Sequence, residues 1–304
     1  VPDPSGPPSP SRPGLREWAT GARVRTLPAA VAPVLTGTGA AAAVDGAHLG
    51  RAALAAGVAL ALQVGVNFAN DYSDGVRGTD DHRVGPQRLT ASGAVAPGTV
   101  KRAAFAAFGV AAVLGLALCV WAGTWWLLAV GALCVVAAWF YTGGRNPYGY
   151  RGFGEVAVFV FFGLVATIGT TYTQALQVTA ATVLAGSSIG LLACALLMAN
   201  NIRDIPTDVD AGKRTLAVRL GDRRARIGYV AMLVGALVLA VLGGVAGGAD
   251  AVAAALLLLA VPVVALSRTV LAGATGPALI TVLKRTGMLE LAFGVALGLV
   301  LWLG

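Results

Sequence analysis

Charge is what this sequence has least of. Only 12% of its 304 residues are Asp, Glu, Lys or Arg, about half the share of an average soluble domain, too little to clothe a water-facing surface. Cysteine occurs at positions 119, 134 and 194 alone, each inside an apolar run, so neither a disulfide framework nor a thiolate metal site is supported. The two histidines, His48 and His82, stand far apart in the chain and offer no histidine metal cluster. Ten-residue segments of alternating polarity, the mark of an outer-membrane barrel, are missing. No arginine-rich helix is interleaved with stacking aromatics, so the net charge of +8 does not call for a nucleic-acid partner.

What the chain has is hydrocarbon. Its residues are 57% hydrophobic, its mean hydropathy is +0.78, and apolar stretches long enough to cross a bilayer recur from end to end. Hydropathy predicts about nine transmembrane helices, at 27–44, 51–70, 102–121, 124–141, 153–173, 178–200, 227–246, 250–267 and 288–303. The fold class is therefore an all-α polytopic membrane bundle. The first 15 residues are dense in proline and read as a disordered tail outside the fold. Residues 16–304 read as a single transmembrane domain.

The charge that exists is lopsided. All 22 Lys and Arg residues except Arg51 fall in the N-terminal segment or in the loops after the second, fourth, sixth and eighth helices. The positive-inside rule makes those segments cytoplasmic, with the N-terminus inside and the C-terminus outside. Arginine outnumbers lysine 19 to 3, which points to a GC-rich bacterial source and hence to a bacterial cytoplasmic membrane.

Seven of the 14 acidic residues gather in two short clusters, Asp71, Asp74, Asp80 and Asp81, then Asp204, Asp208 and Asp210. Residues three, four or seven apart share one face of a helix. Asn67, Asn70, Asp71 and Asp74 therefore form one polar stripe at the cytoplasmic end of the second helix. Asn200, Asn201, Asp204 and Asp208 form another at the same end of the sixth. The repeated layout, four helices apart, suggests two related quartets followed by one added helix. Two carboxylate stripes meeting at a bundle mouth repel unless cations lie between them, and hard oxygen donors without Cys or His favour Mg2+, which binds through few carboxylates plus substrate phosphates. Arg77, Arg83, Arg203, Lys213 and Arg214 stand nearby as cations able to clamp diphosphate oxygens, and Gly75, Gly78 and Gly212 permit close backbone approach.

These residues resemble the UbiA superfamily of intramembrane prenyltransferases, which carry an Asn-Asp-x-x-Asp-x-x-x-Asp motif and a second Asp-x-x-x-Asp motif. Asn70, Asp71 and Asp74 match the first, and Asp204 and Asp208 match the second. Position 78 is Gly, and the third acid of the first motif is displaced to Asp80. The stretches 22–37, 67–80, 141–170 and 200–221 resemble most the branch that prenylates 1,4-dihydroxy-2-naphthoate in menaquinone biosynthesis, the Gly- and Tyr-rich 141–170 stretch being the most discriminating.

The resemblance implies a nine-helix bundle with a cytoplasm-facing cavity, a side opening for lipid and two Mg2+ ions held by Asp71, Asp74, Asp204 and Asp208. It implies transfer of a polyprenyl group from its diphosphate to an aromatic acid, with loss of CO2, giving demethylmenaquinone. Arg77 and Lys213 are then expected to share the departing charge, with Asn67, Asn70, Asn200 and Asn201 facing the polar cavity. Tyr141, Tyr148 and Phe140 are candidates to steady an allylic cation, Arg145 or Arg25 to orient the acceptor carboxylate, and Asp80 or Asp81 to take a proton. Glu155 is expected to pair with Arg151, and Glu290 to lie near the cytoplasmic end of the ninth helix. Alternatives are a UbiA-type enzyme acting on 4-hydroxybenzoate, homogentisate or a tetrapyrrole, and, from a different class, a secondary transporter.

Overall fold

The computed structural model describes residues 14–79 and 88–304. The proline-rich stretch therefore lies outside the described residues except for its last two, as do Asp80, Asp81, His82 and Arg83. Leu15 already opens a short helix, Leu15–Gly21. Among the described residues nine longer helices follow: α1 Pro28–Ala42, α2 Leu49–Arg77, α3 Pro97–Ala122, α4 Leu127–Thr142, α5 Gly154–Ala175, α6 Ala180–Asp210, α7 Asp222–Ala246, α8 Asp250–Leu271 and α9 Gly276–Leu303. Seven are long and apolar enough to cross a membrane, and α1 and α4 are shorter. Among the described residues there is no strand.

Each helix expected from hydropathy is present, but several continue past the apolar stretch. The helix α2 runs to Arg77 and α6 to Asp210, while α3 starts at Pro97, α7 at Asp222 and α9 at Gly276. All of these extensions lie at the end that carries the charged loops. Hydropathy marks where hydrocarbon ends, whereas backbone hydrogen bonding continues as far as charged side chains can reach solvent. The additions to α9 place Glu290 in the middle of that helix instead of at its charged end, fully buried, with both carboxylate oxygens lacking a hydrogen-bond partner. Glu155 also differs from expectation. Its side chain turns into the bundle and accepts from Asn201 Nδ2 at 3.0 Å, while Arg151 stands exposed on the 3-10 turn Tyr148–Arg151.

Apolar side chains gain little by leaving lipid for one another, so helices in a membrane associate through close backbone packing. Small residues supply it here. A Cβ on Gly39 would come within 2.2 Å of the Gly298 carbonyl oxygen, and one on Gly294 within 2.6 Å of Ala32 Cα, so α1 and α9 lie backbone to backbone. Gly163 meets Gly190 in the same way, joining α5 to α6. Residues Phe159–Val165 of α5 form a π-helical turn. Such turns are uncommon and cluster at functional sites; Phe161 and Phe162 of this one lie on the wall of a single cavity.

Packing is most extensive between α2 and α3 and between α6 and α7, the corresponding members of the two quartets. The largest buried cluster runs through α6, α7 and α9. By contrast α4 buries only Thr142, and it packs on α2 and α3 while barely touching α5.

At the far end of the bundle, the one cation outside the charged loops has a structural task. Arg51 donates to the carbonyl oxygens of Thr173 and Gln174 at 3.3 Å and of Trp121 at 3.0 Å, capping the last turns of α5 and α3 together. A cation there also complements both helix dipoles.

The close contact of α1 with α9 gives a direct test. Gly39→Ala is expected to lower the Tm of the purified protein, since overpacking a tight contact costs about 1–3 kcal/mol. Gly228→Ala on α7, where an added methyl meets nothing within 4 Å, is expected to leave it unchanged or slightly raised. Equal Tm values for the two variants would contradict the packing described.

Candidate active site

The polar stripe of α2 forms as helical arithmetic requires, and its members do different things. Asn67 donates to the Ala22 carbonyl at 2.9 Å and to Thr26 Oγ1 at 3.3 Å, fastening the segment before α1 to α2. Asn70 Oδ1 accepts from the Thr142 hydroxyl at 2.8 Å, which ties the end of α4 to the same face. Asp71 is wholly buried; its two oxygens accept the backbone N–H groups of Leu89 and Thr90 at 2.9 and 2.8 Å. Asp74, one turn on, accepts the Tyr150 hydroxyl.

On α6, Arg203 grips Asp204 with Nε and Nη2, each at 2.7 Å, and Nη2 also donates to Asn200 Oδ1 at 2.8 Å. Such bidentate pairing holds a carboxylate in one orientation. Asn200 Nδ2 donates to Asp204 at 3.3 Å, and Asp208 accepts the Thr215 hydroxyl at 3.4 Å. Asn201 Nδ2 is committed to Glu155.

Both stripes line one cavity, and the loops beside them meet at its mouth. Lys213, from the loop after α6, lies 4.0 Å from Asp74 of α2, and Arg88 lies 3.9 Å from the other oxygen of the same carboxylate. Tyr150, from the loop between α4 and α5, joins them: its hydroxyl donates to Asp74, and its ring sits 4.7 Å from Lys213 Nζ and 5.6 Å from the Arg77 guanidinium. Burial, reinforced by the adjacent Asp74 charge and hydrogen bond, pushes the Tyr150 phenol above its ordinary value, so it remains a donor. The Tyr150 carbonyl in turn accepts the Arg214 backbone N–H at 2.8 Å, locking the two loops together.

Beneath this mouth lies a cavity of about 1060 Å³. Asn67, Asn70, Asp71, Asp74, Asn200, Asn201, Asp204, Asp208 and Lys213 all line it, as do Tyr141 and Arg25. Its deeper wall is apolar, built from α2, α3, α4 and α5 and including Ala55, Leu118, Leu127, Val135 and Phe161. A polar mouth over a long apolar pocket suits a ligand with an anionic head and a hydrocarbon tail.

Four expected site residues are placed elsewhere. Arg77 donates to the carbonyl oxygens of Thr142 and Gly144, capping α4, and does not line the cavity. Its position at the last turn of α2 brings it to the loop backbone before it can reach the mouth. Arg145 is exposed on that loop, away from the cavity. The Tyr148 hydroxyl donates to the Ala137 carbonyl at 2.8 Å, and burial pushes its phenol up to about 12. Phe140 is about half exposed on the outside of α4. Asp80 lies outside the described residues.

Three residues were missed. Tyr150 stands two positions from the candidate Tyr148, and no spacing signal separates the two. Nothing in its spacing sets Arg88 apart from the other loop arginines. Arg23 lines the cavity from a left-handed backbone conformation, φ 51°, close enough to Tyr141 for the two groups to interact electrostatically. The uncommon φ was the one signal that needed coordinates.

The donor set fits magnesium better than a softer metal. Among the described residues no group of three or more His, Cys, Asp or Glu side chains is gathered closely enough to cage an ion. Magnesium needs no such cage, since one or two carboxylates suffice when water and phosphate complete the shell. Asp74, Asp204 and Asp208, all lining the cavity, are more than enough, and all of them offer hard oxygens.

Comparison with known proteins identifies the family. Residues 30–278 match the model of the UbiA prenyltransferase family. The chain is 51% identical over 281 residues to a 1,4-dihydroxy-2-naphthoate octaprenyltransferase of Mycobacterium leprae, covering 92% of this chain and 94% of that protein. It is 40% identical to the protein of the same name from Escherichia coli, covering 73% and 74% of the two chains. In fold it is similar to a UbiA homolog from Aeropyrum pernix, with a TM-score of 0.68 at 18% identity over 89% of this chain and 96% of that one. A UbiA homolog from Archaeoglobus fulgidus bound to GPP and Mg2+ gives a TM-score of 0.62 at 14% identity, covering 95% of this chain and 100% of that one. With the family's model matched over most of the chain and a relative of 51% identity matched along nearly all of it, this protein belongs to the UbiA prenyltransferase family.

Proposed function

We propose that this protein transfers a polyprenyl group from polyprenyl diphosphate to 1,4-dihydroxy-2-naphthoate, with Mg2+ and with loss of CO2, at the cytoplasmic face of a bacterial inner membrane. The observation that carries the reading is the meeting of Lys213 and Tyr150 with Asp74 over an apolar cavity, which makes one anion-binding mouth from two distant motifs. The names of the Mycobacterium and Escherichia relatives supply the acceptor.

Asp74, Asp204 and Asp208 would hold the metal. Magnesium bound there supplies positive charge to the diphosphate, which is otherwise a poor leaving group. Lys213, Arg88 and Arg203 are already at the carboxylates and give diphosphate oxygens further cationic partners. Stabilising that departing charge is the largest catalytic contribution asked of these side chains. The Tyr150 hydroxyl keeps Asp74 oriented. Below, the walls of α2 to α5 exclude water from the allylic carbon, and the sparse contact between α4 and α5 leaves a way for the distal isoprenoid to pass into lipid.

In the reaction the allylic C–O bond breaks with its electron pair going to diphosphate, and the ring carbon bearing the carboxylate forms the new C–C bond. Loss of CO2 returns its bonding pair to the ring. No electrons leave the system, so the direct product is the hydroquinone form, from which demethylmenaquinone arises by oxidation. We assign orientation of the acceptor carboxylate to Arg23, with Arg25 beside it at the mouth; both line the cavity, which Arg145 does not.

Purified protein offered polyprenyl diphosphate and Mg2+ is expected to release diphosphate and form a prenylated product with 1,4-dihydroxy-2-naphthoate, and not with 4-hydroxybenzoate. Product with 4-hydroxybenzoate alone would overturn the acceptor, and absence of any diphosphate release would overturn the enzymatic reading. Arg23→Gln is expected to raise KM for the acceptor by about 10- to 100-fold, the equivalent of one charge-assisted hydrogen bond. The KM for polyprenyl diphosphate should stay within about twofold; a rise confined to the donor would remove Arg23 from acceptor binding.

A further inference from the structure

Asp71 and Asp74 are less than one helical turn apart and have different surroundings. Asp74 faces cations and a phenol at the mouth. The Asp71 carboxylate, 0% exposed, has one oxygen on the Leu89 N–H at 2.9 Å and the other on the Thr90 N–H at 2.8 Å. Successive backbone amides converging on an anion form a strong binding geometry, and here the anion is the protein's own.

The strand of chain that Asp71 grips is seated in a fitted notch. A Cβ on Gly21 would come 2.4 Å from Leu89 Cδ1, and one on Gly75 would come 2.5 Å from Thr90 Cβ, so both glycines make room for it. Leu89 is buried against the cluster that includes Phe68 and Val100. Beyond it the segment bonds to itself: Gly93 N–H donates to Thr90 O at 3.0 Å and Val95 N–H to Leu89 O at 3.1 Å. The residue that this arrangement presents to the cavity is Arg88, whose guanidinium, 9% exposed, stands 3.9 Å from Asp74.

We propose that Asp71 is a positioning residue: its carboxylate clasps the Leu89–Thr90 backbone so that Arg88 is held at the mouth to take diphosphate oxygens, and Asp71 does not itself ligate the metal. The inference rests on the prenyl diphosphate reading above. An asparagine at 71 keeps the shape but presents one acceptor and one donor to two N–H groups, so one of the two bonds is lost. Arg88 then loses its register, and affinity for the donor falls while the carboxylates of the mouth are untouched.

The test compares Asp71→Asn, Arg88→Gln, their double variant and Asp208→Asn in the full-length protein. Three quantities are read: KM for polyprenyl diphosphate, the Mg2+ concentration giving half-maximal rate, and hydrogen exchange at Leu89 and Thr90. Asp71→Asn and Arg88→Gln are each expected to raise donor KM about tenfold or more, with the double variant no worse than about twice the weaker single. In Asp71→Asn the Mg2+ half-saturation should stay within about twofold and exchange at Leu89 and Thr90 should quicken. A Mg2+ half-saturation shifted as in Asp208→Asn, with exchange unchanged, would overturn the proposal. Should Asp71→Asn not fold, Gly75→Ala presses on Thr90 without altering a carboxylate; it is expected to reproduce the donor KM rise and the faster exchange, and wild-type values for both would refute the clasp. If wild-type protein does not turn over prenyl diphosphate at all, the functional reading fails, while the exchange comparison still decides the clasp.

Discussion

Every feature of the mouth follows from the need to keep carboxylates buried in a membrane protein without mutual repulsion. Carboxylates sharing a poorly hydrated space repel one another, and here Asp74, Asp204 and Asp208 all line one cavity, each less than a tenth exposed. Cations from three separate segments relieve that repulsion. Arg88 comes from the segment before α3, Arg203 from α6 itself, and Lys213 from the turn that follows it. The same charge balance makes the site receptive to a divalent metal and an anionic headgroup, which bring their own opposite charges in matched amounts.

The fold divides its rigidity accordingly. The helices α1, α6, α7 and α9 are joined by glycine contacts and a continuous buried cluster, so the second aspartate motif stands on the firmest part of the bundle. Opposite, α4 is short, hardly buried and loosely joined to α5, which suits the side from which a long hydrocarbon must enter and leave. The first motif bridges the two regimes, with Asn67 and Asn70 tying it to the segment before α1 and to the end of α4. Arg51 holds α3 and α5 together at the opposite end, which explains why one cation breaks the charge asymmetry.

Much of this was legible in the sequence, because membrane helices announce themselves by length and polarity, and residues at spacings of three, four and seven must share a face. The nine helices and the two polar stripes follow from those facts; that both stripes face one cavity does not, and needs the fold. What was not legible depends on contacts between distant segments. Arg77 has the charge and the place in sequence for a diphosphate ligand, yet the carbonyls of Thr142 and Gly144 lie closer to it than the cavity does. Tyr148 and Tyr150 look alike as letters, and only the 3-10 turn decides which hydroxyl meets Asp74. Glu155 has Arg151 at helical spacing, but α5 begins too late to place them on one face, and Asn201 takes the carboxylate instead. Helix ends were misplaced wherever charged side chains carried the helix beyond hydrocarbon, as for Glu290 in α9.

The claim on which the account stands is that two motifs, remote in sequence, act as one binding site. Its most direct measurement is the Kd of an unreactive polyprenyl thiolodiphosphate, at saturating Mg2+, for wild type, Asp74→Asn, Asp208→Asn and the double variant. The account predicts that each single variant binds about tenfold or more weakly and that the double variant is little worse than either, since both carboxylates serve one headgroup. Losses that multiply in the double variant, or a motif whose variant binds like wild type, would contradict it.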